Sequence, residues 1–269
     1  MPLPAATFPV ESKKENVTEL SKLIGGGPTV HESGGILGMK MIGLIGGMSW
    51  ESSAEYYRIL NEGVRDRLGP TASARCLLWS FNFAEIEDLQ HKGDWQGLTT
   101  RKVDAARRLE AGGADVLLIC TNTMHRMAAD VQAAVGVPLL HIADPTAERI
   151  KAAGLKKVGL LGTAFTMEHA FYKGRLTDQH GLNVVVPDDD DRATVHRIIY
   201  EELVAGKILP ASRDAYRAVI ARLVESGAEA VILGCTEIML LVRPEDSQVP
   251  IFDTTALHAA AAIDMALAG

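Results

Sequence analysis

The sequence has few cysteines, a deficit of basic residues and no long apolar run. Its three cysteines are too few for a disulfide framework and odd in number, which is typical of a protein from a reducing compartment. No stretch reaches the roughly 18 apolar residues that a membrane-spanning helix needs. The first residues also lack the basic and apolar segments of a secretory signal peptide. We therefore expect a cytoplasmic protein without a membrane partner.

Basic residues are outnumbered by acidic ones, 27 against 34, and the formal net charge is −7. This balance argues against a nucleic-acid partner, which usually binds a basic surface. Apolar residues make up 47% of the chain and charged residues 23%, which is ordinary for a globular protein. A chain of 269 residues can form one large domain or two small ones.

Short apolar runs alternate with helical patterns from about residue 39 onward. This alternation predicts parallel βαβ units with helices on both faces of the sheet. Strands are predicted at residues 41–45, 76–81, 116–119, 137–140, 158–163, 184–186, 230–233 and 249–252. Helices are predicted at residues 51–68, 99–112, 124–134, 194–205, 212–226 and 255–268.

Two halves of this pattern repeat each other. An alignment without gaps sets residues 222–235 over residues 108–121, and each segment carries Gly-Ala and an acidic residue ahead of an apolar strand. Such a connection is common between a helix and a strand, but it does not explain why small polar residues follow both strands. The same alignment places Cys235 opposite Thr121 and Gly234 opposite Cys120.

The repeat predicts an α/β fold with two pseudo-symmetric, doubly wound parallel-sheet domains and an active site in the cleft between them. Residues 39–139 are predicted to form the N-terminal domain together with residues 254–269, because the last helix is expected to pack back on the first half. Residues 140–253 are predicted to form the C-terminal domain. Residues 1–38, rich in Pro, Gly, Ser and Lys, are predicted to be a disordered tail.

Cys235 stands directly after a buried apolar strand, at the edge where open α/β sheets bind ligands. Most free cysteines are buried structural thiols, but this one lies past the strand, between Gly234 and Thr236. The helix-initiating residues 236–238 are expected to lower the pKa of its thiol. Cys235 is therefore the predicted catalytic residue of the second half.

Cys120 and Thr121 compete for the equivalent position in the first half. Cys120 is the more reactive residue type, whereas the repeat places Thr121 opposite Cys235. We favour Thr121 at the site and expect Cys120 to pack into the core, because neighbouring residues of a strand point to opposite faces. Cys76 lies within an apolar strand and is expected to be a core residue as well.

Polar residues also follow the strands at other points. Asn122 and Thr123 can donate hydrogen bonds to a carboxylate, and Thr163 and Thr166 occupy the equivalent loop of the second half. Helix capping explains each of these threonines equally well when it is taken alone.

Several other features indicate structural roles. His125 and His141 lack the spacing of metal ligands, so no metal is expected. The first glycine-rich loop does not have the Gly-x-Gly-x-x-Gly spacing of a dinucleotide site, and no lysine stands in the motifs to carry pyridoxal phosphate. The acidic run at residues 188–191 is expected to be a solvated loop.

Three motifs together resemble the aspartate/glutamate/hydantoin racemase superfamily: Gly43-Leu44-Ile45-Gly46-Gly47-Met48, Asn122-Thr123-Met124-His125 and Gly234-Cys235-Thr236-Glu237. The resemblance runs from about residue 39 to the C-terminus. Within the superfamily the chain is most similar to the aspartate/glutamate racemases. It is closest to the subgroup specific for L-aspartate and L-glutamate, which has Cys-Thr-Asn-Thr where most members have Cys-Asn-Thr.

The resemblance implies cofactor-independent racemisation of aspartate and glutamate by two acid/base groups that face each other across the cleft. Cys235 matches the second catalytic cysteine of the family, and Thr121 stands where the first usually lies. The motifs and the resemblance together give the predicted substrate-binding residues Met48, Ser49, Gln90, Asn122, Thr123, Thr163, Thr166, Thr236 and Glu237. The expected partners are a small-molecule amino acid and a second copy of the chain in a homodimer.

The sequence departs from the family where acidic substrates are bound. Leu89 and Val204 stand where an arginine and a lysine are often found, with Gln90 beside the first.

The sequence also has Thr121 where the family usually has its first catalytic cysteine. Because a threonine hydroxyl is a far weaker acid than a thiol, slow turnover of the D enantiomer is expected. Two alternatives stay open for the same reason. One is a decarboxylase or cis–trans isomerase that uses Cys235 alone, and the other is a non-catalytic amino-acid-binding protein.

Overall fold

Two parallel sheets of four strands each carry the fold of residues 38–268, which are the residues that the computed structural model describes. The strand order is β2-β1-β3-β4 in the first sheet and β6-β5-β7-β8 in the second. The predicted α/β fold with two pseudo-symmetric parallel sheets is therefore confirmed. The predicted tail, residues 1–38, lies outside the described residues except for Gly38.

The first half of the fold comprises the first sheet and its helices. Its elements are β1 Ile42–Gly46, α1 Trp50–Leu68, β2 Cys76–Ser80, α2 Phe83–His91, α3 Trp95–Ala111, β3 Val116–Ile119, a 3₁₀ helix Thr123–Met127, α4 Ala128–Ala133 and β4 Leu139–Leu140. Strand β1 is buried along its whole length because helices cover both faces of the sheet.

The second half comprises the second sheet and its helices. Its elements are α5 Ala143–Ala152, β5 Lys157–Gly162, α6 Ala164–Glu168, α7 Ala170–Gly174, a π helix Arg175–Gln179, β6 Asn183–Val185, α8 Asp189–Glu201, a 3₁₀ helix Leu203–Ala205, α9 Pro210–Glu225, β7 Ala230–Gly234, α10 Ile238–Leu241, a 3₁₀ helix Pro244–Asp246 and β8 Ile251–Asp253. A final helix, α11 Thr254–Leu267, ends the described chain.

The strand register reproduces the sequence repeat. Gly43 of β1 pairs with Leu117 of β3, and Gly159 of β5 pairs with Val231 of β7 at the equivalent position. Both glycines let a helix approach the sheet closely. A Cβ on Gly43 would lie 3.3 Å from the Cβ of Leu109 on α3, and one on Gly159 would lie 3.0 Å from a methyl carbon of Leu223 on α9. The two halves therefore share their packing as well as their strand order.

Helix α11 packs against the first half although it follows the last strand of the second. Its residues Ala259, Ala262 and Ile263 belong to the same buried cluster as Ile42 of β1 and Tyr56 of α1. The chain thus passes between the halves twice, after β4 and after β8. The domain boundaries at residues 139/140 and 253/254 stay predictions. No helix within residues 38–268 combines the length and the apolar character that crossing a membrane requires.

The two passages between the halves lie side by side. In α11, His258 donates a hydrogen bond from Nε2 to the backbone oxygen of Leu140, at 2.9 Å, and Leu140 ends β4. Its other ring nitrogen lies 2.8 Å from the hydroxyl of Tyr56, which therefore donates to it. The end of β4, where the chain first leaves the first half, is thereby fixed to α11, which follows the second passage.

The acidic run is not a solvated loop, contrary to the sequence prediction. Asp188 caps helix α8 by accepting a hydrogen bond from the amide of Asp191, at 2.9 Å, and the next three aspartates form the first helical turn. Carboxylates are favourable there because the helix dipole is positive at its N-terminus. Helices α2, α5, α6, α7 and α10 were also absent from the predicted elements.

Cys76 is partly buried and packs against the core cluster of Ile42 and Leu44, so it lies at the margin of the core in which it was predicted. It lies at the start of β2, which is an edge strand of the first sheet and pairs with β1 alone. An edge strand is covered on fewer sides than a central one, and the alternating exposure along β2 follows from that position.

Lys102 of helix α3 is fully buried, which is unusual for a lysine. Its Nζ has no hydrogen-bond partner and lies 4.0 Å from the centre of the Phe81 ring. Burial, with a smaller contribution from the charge of Arg101, lowers the pKa of Lys102 to about 7. The cation–π contact offsets only part of the cost of removing the ammonium group from water.

Replacing Lys102 by Met should stabilise the protein at neutral pH. A folded-state pKa below the unfolded value makes the unfolded chain bind more protons, so the lysine costs most stability at low pH and progressively less between pH 7 and 10.5. With about 1.4 kcal/mol per pKa unit, Lys102→Met should gain on the order of 4 kcal/mol at pH 7. Urea unfolding at pH 7 and pH 9.5 measures this gain, which should shrink at the higher pH.

The matched control is Lys151→Met, which changes an exposed lysine on helix α5. It should alter the free energy of unfolding little at either pH. A Lys102→Met protein that is less stable than the wild type at both pH values would contradict the burial argument.

Candidate active site

A cavity opens at the C-terminal ends of the strands of both sheets. It contains about 410 Å³ of empty space, counting its open mouth. Residues that follow β1, β3, β5 and β7 meet on its wall, as the ligand-binding edge of a parallel sheet predicts. Of the predicted site residues, the wall contains Met48, Gln90, Thr121, Asn122, Thr123, Thr163, Cys235 and Glu237.

Three predicted site residues, Ser49, Thr166 and Thr236, lie behind this wall. All three are buried and form hydrogen bonds with wall residues. The sequence analysis missed four side chains of the wall: Phe83, Met124, Ile199 and Tyr200. Three of them, Phe83, Ile199 and Tyr200, lie on helices α2 and α8, where no motif marks them as site residues.

Cys235 is held by the carboxylate of Glu237. Its Sγ donates a hydrogen bond to Oε2 of Glu237 at 3.0 Å, and the hydroxyl of Thr236 donates to the same oxygen at 2.8 Å. The residues are close because the chain turns at the end of β7, ahead of the short helix α10. The thiol therefore has a proton acceptor within direct contact.

The other oxygen of Glu237 is bound from the first half. Ser49, which caps helix α1, donates to Oε1 at 2.7 Å, and Ser52 in the first turn of α1 donates to it at 2.5 Å. Ser52 also contacts the hydroxyl of Thr236. Four donors thus satisfy one buried carboxylate, which would be costly to bury without partners. Ser52 was not among the predicted site residues.

The pKa of the Cys235 thiol is raised well above its usual value, contrary to the sequence expectation. Burial is the main cause, and the charge of Glu237 and the hydrogen bond to it raise the pKa further. The backbone amides of Thr236 and Glu237 lower it, which is the effect that the sequence predicts, but they do not outweigh the first three causes. Without a ligand, Cys235 is a protonated thiol that donates to Glu237.

Thr121 lies on the cavity wall and Cys120 does not. Cys120 is fully buried in the cluster that contains Ile42 and Leu44, and burial strongly raises the pKa of its thiol. The side chains of the two residues point to opposite sides because they are neighbours at the end of β3. The backbone oxygen of Thr121 accepts a hydrogen bond from Nδ1 of His125 at 2.8 Å.

Three threonine hydroxyls from both halves form a cluster at one side of the cavity. Thr123 of the first half lies 3.1 Å from Thr163 and 3.4 Å from Thr166, measured between hydroxyl oxygens, and the latter two lie 3.2 Å apart. Thr163 also caps helix α6, so the capping interpretation holds for it, and it lies on the cavity wall as well. Hydroxyl groups can rotate to donate to an anion.

Asn122 offers an acceptor that no other group uses. Its Nδ2 donates to the hydroxyl of Thr254 at 3.1 Å, while its buried Oδ1 has no hydrogen-bond partner. A buried carbonyl oxygen without a partner is rare in folded proteins. Because Asn122 lines the cavity, the free acceptor fits a donor on a bound ligand, such as an ammonium group.

Apolar side chains line much of the remaining wall. Phe83, Ile199 and Val204 lie there with the neutral polar groups of Gln90 and Tyr200. Burial raises the pKa of the Tyr200 hydroxyl, which therefore stays protonated. Within the described chain, neither a lysine nor an arginine lies on this wall, and the partly buried Leu89 packs against the core instead.

The buried histidines serve the backbone rather than a metal. His125 accepts from the amide of Ile142 at 3.1 Å, and His141 accepts from the amide of Ala143 at 3.2 Å. Burial lowers the pKa of His125 to about 4. No group of three or more metal-binding side chains is arranged around a common point in residues 38–268.

The family model described as Asp/Glu/Hydantoin racemase matches residues 45–262. That range includes both strand ends and every residue of the cavity wall. The chain belongs to the Asp/Glu/hydantoin racemase family.

Solved structures of this racemase family have the same fold. A candidate Asp/Glu racemase from Yersinia pestis is 57% identical, with a TM-score of 0.80 over 85% of this chain and 100% of that one. An aspartate racemase homologue from Pyrococcus horikoshii is 37% identical, with a TM-score of 0.74 over 85% and 99%. By sequence, the chain is also similar to the broad-specificity amino-acid racemase RacX of Bacillus subtilis. The two are 28% identical over 169 residues, which are 62% of this chain and 71% of RacX. The family and the racemases among these relatives support an amino-acid racemase, which is an isomerase.

Replacing Glu237 by Gln in this racemase should lower the pKa of Cys235. The substitution removes the negative charge and the strongest acceptor next to the thiol, both of which raise that pKa. The rate of Cys235 alkylation as a function of pH measures the change, with peptide mass spectrometry to separate Cys235 from the half-exposed Cys76. The alkylation curve should move to lower pH, and the exposed residue Glu225, changed to Gln, should leave it in place. A curve that stays or moves to higher pH would refute this account of the thiol.

Proposed function

We propose that the protein racemises amino acids without a cofactor, with Cys235 and Thr121 acting on opposite faces of the α-carbon. The observation that supports this most is that both residues follow equivalent strands of two pseudo-symmetric sheets and line one cavity. Racemisation needs one group to remove the α-proton and another to deliver a proton from the other side. Side chains positioned in this way supply both transfers themselves.

The polar groups of the cavity provide a binding mode for the invariant part of an amino acid. The free Oδ1 of Asn122 accepts from the α-ammonium group. The hydroxyls of Thr123 and Thr163 donate to the α-carboxylate, which must also be stabilised when negative charge develops on the α-carbon. The α-carbon then lies between Cys235 and Thr121, and the side chain extends towards Phe83 and Tyr200.

Glu237 provides the route by which Cys235 becomes a base. The carboxylate takes the thiol proton along the 3.0 Å hydrogen bond, and the thiolate then takes the α-proton of the L enantiomer. Thr121 gives its hydroxyl proton to the other face of the carbanion. Solvent passes the proton of Glu237 to the resulting alkoxide, which restores all three groups. In the reverse direction Thr121 must first lose its hydroxyl proton, and this is harder than deprotonating Cys235 because a hydroxyl is a weaker acid than a thiol. The kcat from the D enantiomer should therefore be lower.

The wall of the cavity favours substrates with an uncharged side chain. The resemblance to aspartate/glutamate racemases implies an acidic substrate, but Val204 and Gln90 present no positive charge to it. Placing an unpaired carboxylate against Phe83 and Ile199 would cost several kcal/mol. A neutral amide of the same length costs less to bury than a carboxylate, and Gln90 and Tyr200 on the wall offer it hydrogen bonds. The broad specificity in the name of RacX agrees with a permissive pocket.

Replacing Cys235 by Ala should slow racemisation strongly. In deuterium oxide, the wild-type protein should introduce deuterium at the α-carbon of an L-amino acid and produce the D form. Cys235→Ala should lower both rates by about 10²- to 10⁴-fold, which is the usual contribution of a general acid–base group. Chiral chromatography and mass spectrometry measure the two products. Cys76→Ala is the matched control and should keep the wild-type rates, because Cys76 lies on the outer strand β2.

Other outcomes of this experiment identify the alternatives. Release of carbon dioxide from a malonate-type substrate without α-exchange in amino acids would indicate a decarboxylase. Amino-acid binding without exchange or turnover would indicate a binding protein. Near wild-type racemisation by Cys235→Ala would overturn the assignment of the base.

The proposed preference for uncharged side chains predicts the order of substrates. Asparagine and glutamine should have kcat/KM values at least about tenfold higher than aspartate and glutamate, a difference of about 1.4 kcal/mol in transition-state binding. Val204→Lys should raise kcat/KM for the acids because it adds a cation to the wall. Val204→Met is the control for side-chain length and should not favour acids. Acids that outperform their amides with the wild-type protein would refute the preference.

A further inference from the structure

His125 uses both of its ring nitrogens to hold the backbone near Thr121. Its Nδ1 donates to the oxygen of Thr121 at 2.8 Å, and its Nε2 accepts from the amide of Ile142 at 3.1 Å. A carbonyl oxygen can only accept and an amide can only donate, so these two partners determine the tautomer. His125 is therefore neutral, with its proton on Nδ1.

The surroundings keep His125 neutral. It is buried, the ring of His141 lies 4.5 Å away and that of His258 lies 5.7 Å away, measured between ring centres. The charged residues that act on it are Arg175 and Asp144, whose side chains pair with each other. Burial is the main reason that the pKa of His125 falls to about 4. The ring does not line the cavity, so it does not touch a substrate there.

Thr121 depends on this contact. It lies between the end of β3 and the 3₁₀ helix that begins at Thr123, outside both regular elements. Within residues 38–268, the bond from His125 is the one hydrogen bond that Thr121 makes with the protein. Its other constraints come through its neighbours, since Cys120 and Asn122 are both buried and hydrogen-bonded. The bond from His125 is the one that acts directly on the carbonyl group of Thr121.

We propose that His125 is a positioning residue that aims Thr121 at the substrate by holding its backbone oxygen. The proposal rests on the racemase function proposed above. Its effect is confined to one face of the reaction, because Cys235 is held by Glu237 on the other side of the cavity. Loss of the contact should therefore impair delivery of the proton by Thr121 while Cys235 still removes and returns the α-proton.

Two substitutions separate the two hydrogen bonds of His125. The amide nitrogen of asparagine takes the position of Nδ1, so His125→Asn keeps the donor to Thr121 and loses the acceptor for Ile142. The longer glutamine reaches the position of Nε2, so His125→Gln keeps the acceptor for Ile142 and loses the donor to Thr121. Both variants remove the ring, and they differ in which backbone contact remains.

The experiment measures the ratio of α-deuterium exchange with retention to inversion, starting from an L-amino acid in deuterium oxide. Exchange with retention requires Cys235 alone, and inversion also requires Thr121. We expect His125→Gln to raise this ratio at least about tenfold, a change of about 1.4 kcal/mol in the partition between the two paths. We expect Thr121→Val to raise it in the same way, and His125→Asn to stay within about twofold of the wild type.

His141→Asn is the matched control. It lies in the same histidine cluster and can accept from the amide of Ala143 through its side-chain oxygen, but it makes no contact with Thr121. It should leave the ratio unchanged even if the melting temperature falls. The double variant Thr121→Val with His125→Gln should behave like Thr121→Val alone, because the two changes act on the same step.

Each outcome distinguishes the two proposals. Equal losses of exchange and inversion in His125→Gln would reduce His125 to a structural residue and overturn the inference. If His125→Gln does not fold, His125→Asn still decides, since a folded His125→Asn protein with the ratio of Thr121→Val would overturn it as well. A wild-type protein that gives neither exchange nor inversion would instead refute the proposed function.

Discussion

The site depends on the hydrogen bonds that the buried carboxylate of Glu237 accepts from both halves. It accepts hydrogen bonds from Cys235 and Thr236 of the second half and from Ser49 and Ser52 of the first. A carboxylate away from water must be satisfied by donors, so the two halves are held at the separation that lets both sets reach it. The same requirement places a proton acceptor against the thiol and raises the pKa of Cys235. The carboxylate of Glu237 thus influences both the separation of the two halves and the protonation of the Cys235 thiol.

The sequence was most informative where local rules decide the structure. The repeat aligned Thr121 with Cys235 because both halves use one strand register, and the period of two along a strand separated Thr121 from Cys120. The family and fold predictions are confirmed. The catalytic roles of Thr121 and Cys235 and the domain boundaries stay predictions that chemistry must test.

What the sequence could not supply depends on packing between distant segments. Tyr200 and Phe83 reach the cavity from helices whose placement no local pattern specifies. Ser52 looks like an ordinary residue of a first helical turn until Glu237 is brought beside it. The thiol pKa was misjudged because residues 236–238 suggest only the favourable amides, whereas burial and the carboxylate outweigh them. The pKa of this thiol is the sum of opposing effects, so its direction can be judged only from the three-dimensional arrangement.

The chain passes between the halves at two adjacent places, and these places mark the line about which a rotation of the halves would be least hindered. His258 ties the helix after one passage to Leu140 at the start of the other, and this contact opposes sliding of the halves along that side. A rotation about this line, as in a hinge, would leave the contact in place. Such a rotation would separate Ser49 and Ser52 from Glu237, so the same carboxylate that accepts from the thiol also opposes separation of the halves. Opening the cleft would then also remove two of the donors that stabilise the negative charge of Glu237.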